Sequence, residues 1–486
     1  MHHHNSKRSN FIKRLVVYSS TTFFVVLIAG FVILTVMGFK FDTDRQQFEQ
    51  YAFLQFNSAP TGASVAVDGV EVTGKTPNKT SVPEGKHEVV IWRDGFETWR
   101  KTLYIKSGTL TWLNYILMVP TKLSVESVAD YEGLSTSLVS PLNKYIVVQQ
   151  FADKPSFDIA QLDMDLPTFN QITIPKKDYS EAYTTSVKHN FKVTSWDQGE
   201  RYILIKHNYN DNTEWLVADS QDENNTKNIT KLFDLQFSDV KFSGTGGNTF
   251  FGLESGNIRK LDTKTETVSK LLVTKVKQFS LYSQNIITYI GDGDNGGRLV
   301  GLYRDGDEKP YVVKVISSSN ANSLQVASSR YFNEDYIAIA DGKNVDILSG
   351  NYSTLLFSDL SSIKSVKTFD VAGDVLNLSF SPSGQYLLAQ SGANFTSYDL
   401  EYKNTVLSTV DTTGSASPLK WLNNSYFWSD NGSNLNIREF DGANPRLINS
   451  VVVGQDVALT KSGKFLYSLN KSTNGYQLQR VKMTLL

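Results

Sequence analysis

With 48 Lys and Arg against 49 Asp and Glu in 486 residues, the chain lacks the basic excess of a general nucleic-acid binder. It has no cysteine and six histidines, which excludes disulfide scaffolds, thiol nucleophiles and cysteine-bound metal, and leaves only His87, His189 and His207 in the body beyond His2, His3 and His4. An apolar fraction of 40% with 12% aromatics can fill large cores, and the length allows about three structural units.

Leu15 to Phe39 carries no charged residue. As a helix it is roughly 37 Å long at about 1.5 Å per residue, enough to cross a ~30 Å hydrocarbon layer. Lys7, Arg8, Lys13 and Arg14 precede it, and Asp42 and Asp44 follow. The positive-inside rule then keeps residues 1–14 in the cytoplasm and exports the rest. A cleaved signal peptide is the rival, but the run is long and Val36-Met37-Gly38-Phe39 offers no pair of small residues for cleavage. The reading is an uncleaved signal anchor at 15–39, with the lipid bilayer as its partner. Residues 40–51 are polar without Pro and are expected as a stalk or short helix.

From Phe53 the apolar period becomes two. Phe53–Ser58, Ala63–Val67, His87–Trp92, Thr102–Ile105 and Trp112–Val119 read as strands, and Asp68-Gly69 as a hairpin turn. The stretches Ser58-Ala59-Pro60-Thr61-Gly62-Ala63, Val67-Asp68-Gly69, Lys75-Thr76-Pro77, Val82-Pro83-Glu84-Gly85-Lys86 and Asp94-Gly95-Phe96 together resemble the PEGA domain, over residues 52–120. Lys86 stands where that name implies Ala. The resemblance implies a small β-sandwich acting as a non-catalytic spacer or adhesive module in bacterial envelope proteins. On it, Pro60, Ala63, Asp68, Gly69, Thr76, Pro77, Pro83, Glu84, Gly85, Gly95 and Phe96 are fold markers: turn-formers and core rather than a site. Trp92, Trp99 and Trp112 offer faces for sugars, though core packing is the plainer reading.

Residues 121–486 repeat a turn, an aromatic-led apolar strand, a polar break and a second strand. Ser379-Phe380-Ser381-Pro382-Ser383-Gly384-Gln385-Tyr386-Leu387-Leu388-Ala389 is the clearest copy. Others lie at Ser140–Val148, Trp196–Leu204, Gly247–Phe251, Gln284–Tyr289, Asn333–Ala338, Asn424–Trp428 and Thr460–Tyr467. A spacing of roughly 35–55 residues is that of propeller blades. The F-S-P-x-G-x-Y-L copy resembles the TolB-type, WD40-like propeller repeat. The expected fold is therefore all-β: an N-terminal transmembrane helix, a PEGA-like sandwich, and an eight-bladed propeller, with seven blades if two weak copies share one. The final repeat has room for three strands. The alternating segment Thr121–Val128 is predicted to supply the fourth, bringing Val125 beside Val481.

Motifs for chemistry are sparse. Gly244-Thr245-Gly246-Gly247 lacks the Lys-Ser/Thr of a phosphate loop, and the Gly291–Gly297 stretch fails the register of a calcium loop. Ser195-x-Asp197-x-Gly199 partly matches the Asp-box of sialidase-type propellers and reads as a blade turn. No catalytic, cofactor or metal residues are assigned. The expectation is a membrane-anchored, extracytoplasmic binding or scaffold protein rather than an enzyme. Its propeller recognises a protein or cell-wall glycan; the alternative is a hydrolase or lyase of surface polysaccharide, whose imidazole chemistry would run through His189 or His207.

Overall fold

A computed structural model describes residues 5–42, 47–180, 188–293, 296–317, 323–353, 363–412 and 416–485. His2–His4 and two positions of the glycine-rich stretch, Asp294 and Asn295, lie outside them. The chain divides into two compact units, Met1–Lys122 and Leu123–Leu486.

The first unit opens with a helix, Asn5–Val36, whose stretch Phe11–Val36 has a mean hydropathy of 2.2 and is unburied. It is long and apolar enough to cross a membrane. The helix stops short of the expected Phe39 because Gly38 turns the chain at φ +85°, where a Cβ would lie 2.6 Å from the Tyr51 carbonyl oxygen. The described residues of the 40–51 segment are extended rather than helical. Phe39–Asp42 pairs antiparallel with Gln47–Gln50, setting Phe41 opposite Phe48 with ring centroids 5.2 Å apart.

A small sandwich follows. Its first sheet runs Asn78–Val82, Ala52–Ala59, Leu110–Leu117, and its second Val70–Lys75, Ser64–Val67, Gly85–Trp92, Trp99–Ile105. Alternate residues Leu54 and Phe56 from one sheet meet Val65, Val89 and Ile91 from the other, the packing that a period of two dictates. Trp99 joins this core, whereas Trp112 is exposed.

The second unit holds eight four-stranded antiparallel sheets among the described residues. Seven are simple meanders, from Thr136–Thr173 through to Lys420–Ser450, each built from four consecutive strands. The eighth takes Ala458–Leu459, Phe465–Ser472 and Gly475–Lys482 from the end of this unit, and Ser124–Tyr131 from its beginning. In this register Val125 stands opposite Val481, and Arg480 Nε donates to Glu126 at 2.7 Å.

Each sheet's face is buried on the next. Val147 and Phe157 pack with Phe191 and Ile203, Leu204 and Trp215 with Phe242 and Phe250, and Phe251 with Phe279 and Ile287. Ile290 and Val300 meet Leu324 and Ile337, Ala338 and Ile347 meet Leu387 and Tyr398, and Leu388 and Phe395 meet Phe427. Val452 N–H donates to Leu469 C=O at 2.8 Å between the seventh and eighth sheets. Tyr467 and Leu478 then pack on Ile146 and Val148 of the first. The sequence of sheets is thereby closed into a ring, which is a β-propeller.

All eight repeat copies fall on the turn and second strand of the eight sheets. The glycine of the clearest one has a steric reason. Gly384 sits at φ +80°, and a Cβ there would lie 2.3 Å from the Arg330 carbonyl oxygen of the preceding sheet. Gly384→Ala is expected to cost more than about 1 kcal/mol, since backbone cannot step aside as a side chain does. Denaturant unfolding checks this, and an unchanged midpoint would show that the turn relaxes freely.

Candidate functional site

The PEGA-type markers build turns and tie them together. Asp68 and Gly69 form the left-handed turn after Ser64–Val67, with φ of +51° and +80°. The Asp68 carboxylate accepts from Glu88 N–H at 2.9 Å and lies 2.6 Å from His87 Nδ1. His87 Nε2 faces the Pro83 carbonyl oxygen at 2.9 Å. This buried ring thus bridges the hairpin turn to the Pro83-Glu84-Gly85 turn. The hydrogen bond from His87 holds the Asp68 carboxyl below the ordinary carboxylate range, against the opposing effect of burial.

Glu84 accepts from Tyr104 Oη at 2.9 Å and Ser107 N–H at 3.2 Å. Thr76 pairs its backbone N–H with Ala63 C=O, and its Oγ1 lies 2.7 Å from Ser58 Oγ, fixing the segments that carry Pro60 and Pro77. Gly95 turns at φ +81°, and Phe96 is core.

In the propeller the structure joins the two remaining histidines, eighteen residues apart, on paired strands of the second sheet. His189 Nδ1 lies 2.9 Å from His207 Nε2, and His207 Nδ1 lies 2.8 Å from Glu214 Oε1. Glu214 also accepts from Ser180 N–H at 2.7 Å, Ser180 Oγ at 2.9 Å and Asn228 Nδ2 at 2.8 Å. Burial alone would raise the Glu214 carboxyl, but these four donors outweigh it and hold it at about 2. His207 is fully buried, stacked on Phe191 with centroids 3.9 Å apart and met edge-on by Tyr179. With the His207 imidazole enclosed, the chain His189–His207–Glu214 ties Ser180 to Asn228.

Asp197, from the Asp-box-like stretch, is likewise buried. It accepts from the backbone N–H of Gly199, Arg201, Tyr202 and, from the next sheet's turn, Gly246. The glycine run around Gly246 is thus a blade turn held by a neighbouring carboxylate.

A groove opens where the closing strand ends against the first sheet. One cavity of about 420 Å³ is lined by Asp130, Glu132, Gln150, Phe151, Lys154, Ser156, Asp158 and Gln171. A second of about 690 Å³ shares Asp130 and Glu132 and extends along Tyr131, Ser472, Asn474 and Gln477. The planar side chains are already oriented. Gln150 Nε2 and Gln171 Nε2 each donate to Asp158 at 2.8 Å, and Gln477 Nε2 donates to Asp130 at 2.8 Å. Among the described residues no group of three or more His, Asp or Glu is placed to hold a metal ion. None of the groove residues stands out in the sequence, because amides and carboxylates on strand edges look like any solvent-facing residue. The first cavity joins the end of the closing strand to the first sheet, and the second adds residues from the last hairpin, more than 300 positions away.

Residues 53–119 match the family model of the PEGA domain. No curated protein matches the sequence. Among solved structures, the chain is similar to an oligogalacturonate lyase in complex with manganese, at 11% identity over 72% of this chain and 98% of that one, with a TM-score of 0.41. It is also similar to the β-propeller domain of Cps50 (Swd1) from Myceliophteria thermophila, at 10% identity, 68% and 100% coverage and a TM-score of 0.40. Apo AztD from Citrobacter koseri gives 10% identity, 80% and 95% coverage and a TM-score of 0.40. The family match and the ring of sheets together identify a PEGA domain at residues 53–119, followed in the sequence by a β-propeller.

Proposed function

We propose that this is a single-pass membrane protein with a cytoplasmic N-terminus, whose exported propeller binds a protein or cell-wall glycan and acts as a scaffold in the envelope. The observation that carries this reading is the groove at the propeller's seam, where polar side chains held in place by one another line a cavity of ligand size. The apolar helix behind Lys13 and Arg14 supports the topology, and the burial of His207 speaks against imidazole catalysis.

Protease added to intact spheroplasts is expected to digest the chain beyond residue 40 while the first 14 residues stay protected. Soluble protein with a new N-terminus just after the apolar helix would mean a cleaved signal instead. For the function, the detergent-solubilised full chain used as bait on native envelopes is expected to retain a defined protein or glycan. Multiple-turnover release of sugar fragments from surface polysaccharide by the purified chain would replace the binding reading with a hydrolase or lyase.

A further inference from the structure

We infer that the groove at the seam of the ring binds an oligosaccharide of neutral or amino sugars. This rests on the reading of the propeller as a binding module and adds its place and ligand class.

The first argument is the inventory of hydrogen-bonding groups. A sugar hydroxyl both donates and accepts, and neighbouring hydroxyls are best met by planar amides and carboxylates held in a fixed plane. Asp158 is fixed by two glutamine amides and Asp130 by a third, each at 2.8 Å. A carboxylate has about four acceptor positions, so both retain capacity for incoming hydroxyl donors. Gln150 Oε1 accepts from Glu132 N–H at 3.2 Å, which ties the closing strand's end to the same hydrogen-bonded network.

The second argument is an unspent donor. Tyr131 is 6% exposed, and its buried hydroxyl has no hydrogen-bond partner, although the Asp158 charge acts on it. Tyr131 also lines the larger cavity. A buried polar group without a partner is costly, and this one, packed in the core beside the groove and within reach of the Asp158 charge, is satisfied when a ligand hydroxyl reaches it directly or through a water.

The third argument is apolar surface and charge. Half-buried Phe151 supplies apolar surface for the C–H groups of a pyranose ring, one face of its own ring being covered by Lys154 Nζ at 4.3 Å from the centroid. Asp130, Glu132 and Asp158 outnumber Lys154. The groove therefore repels uronic acids and phosphate-bearing polymers and favours uncharged or amino sugars.

The test uses the detergent-solubilised full chain with five probes: tetramers of N-acetylglucosamine, glucosamine, cellulose-type glucose and galacturonic acid, and the basic peptide tetralysine. Binding is read by saturation-transfer NMR and calorimetry. At least one of the first three is expected to bind and the galacturonate tetramer to fail. Two variants, Asp130→Asn with Glu132→Gln, and separately Gln171→Ala, are expected to weaken binding by about tenfold or more while the thermal transition stays in place. If no tetramer binds, if binding survives both variants, or if only a basic peptide such as tetralysine binds, the glycan groove is wrong. Envelope capture would still uphold the binding reading in those cases. If a tetramer binds through these residues and is cleaved, the groove stands and the binding-only reading falls.

Discussion

Deletion of residues 124–131 is expected to abolish cooperative unfolding of the whole propeller, not merely to fray one sheet. The segment contributes seven paired positions to the eighth sheet, the Glu126–Arg480 contact and the buried Tyr131. At about 0.5–1.5 kcal/mol net per hydrogen bond plus a buried aromatic, the loss is on the order of 5 kcal/mol or more, comparable with the entire 5–15 kcal/mol stability of a domain. It also bares a strand edge on Gly475–Lys482. Circular dichroism and calorimetry check this, and a sharp transition within a few degrees of the parent would refute the closure. The complementary experiment adds a bond. Val125→Cys with Val481→Cys places two thiols opposite one another in a chain that has no other cysteine. Oxidation should form the crosslink in the folded protein and raise its stability by up to about 5 kcal/mol, because the loop it closes is so long.

Glu214→Ala is expected to destabilise the second sheet by about 3–5 kcal/mol. Four donors on Ser180, His207 and Asn228 would lose their acceptor, the His207 imidazole being fully buried. The same group gives a pH signature. Its carboxyl is held at about 2 in the folded protein against an ordinary 4.5. The folded value is the lower one, so its contribution is fully present above about 4.5 and is lost as pH falls towards 2. The amount at stake is on the order of 3 kcal/mol. Glu214→Gln keeps the shape but removes the titration. Melting temperatures of parent and variant, taken between pH 6 and 2.5, should therefore converge as the acid end is approached. Parallel curves would show that Glu214 is not the group responsible.

The features legible in the sequence are those written as local periodicity or turn chemistry. The uncharged run before Gly38, the Asp68-Gly69 turn and the alternation of Thr121–Val128 each point to their element without tertiary information, and the last also names its distant partner. Other elements carry no such signal. Val70–Lys75 and Asn78–Val82 are strands of mostly polar residues at sheet edges, with little burial to impose a pattern. The pairing of Phe39–Asp42 with Gln47–Gln50 rests on one aromatic contact. His189 and His207 meet only because of strand register. The groove is the extreme case, since its walls come from residues more than 300 positions apart.

Ring closure through the chain's first propeller strand sets the order of events at birth. Ser124–Tyr131 leaves the ribosome long before Gly475–Lys482 exists. At about 5–20 residues per second it waits roughly 20–70 s for its partner, longer if export intervenes. During that interval it is an orphan strand next in sequence to an already foldable PEGA domain. Its composition suits the wait: Ser124, Glu126, Ser127 and Asp130 make it a poor template for other nascent chains. Glu126 then meets Arg480 when the true partner arrives. The polar character that leaves this strand mostly exposed in the finished ring is thus also what keeps it available until the ring can shut.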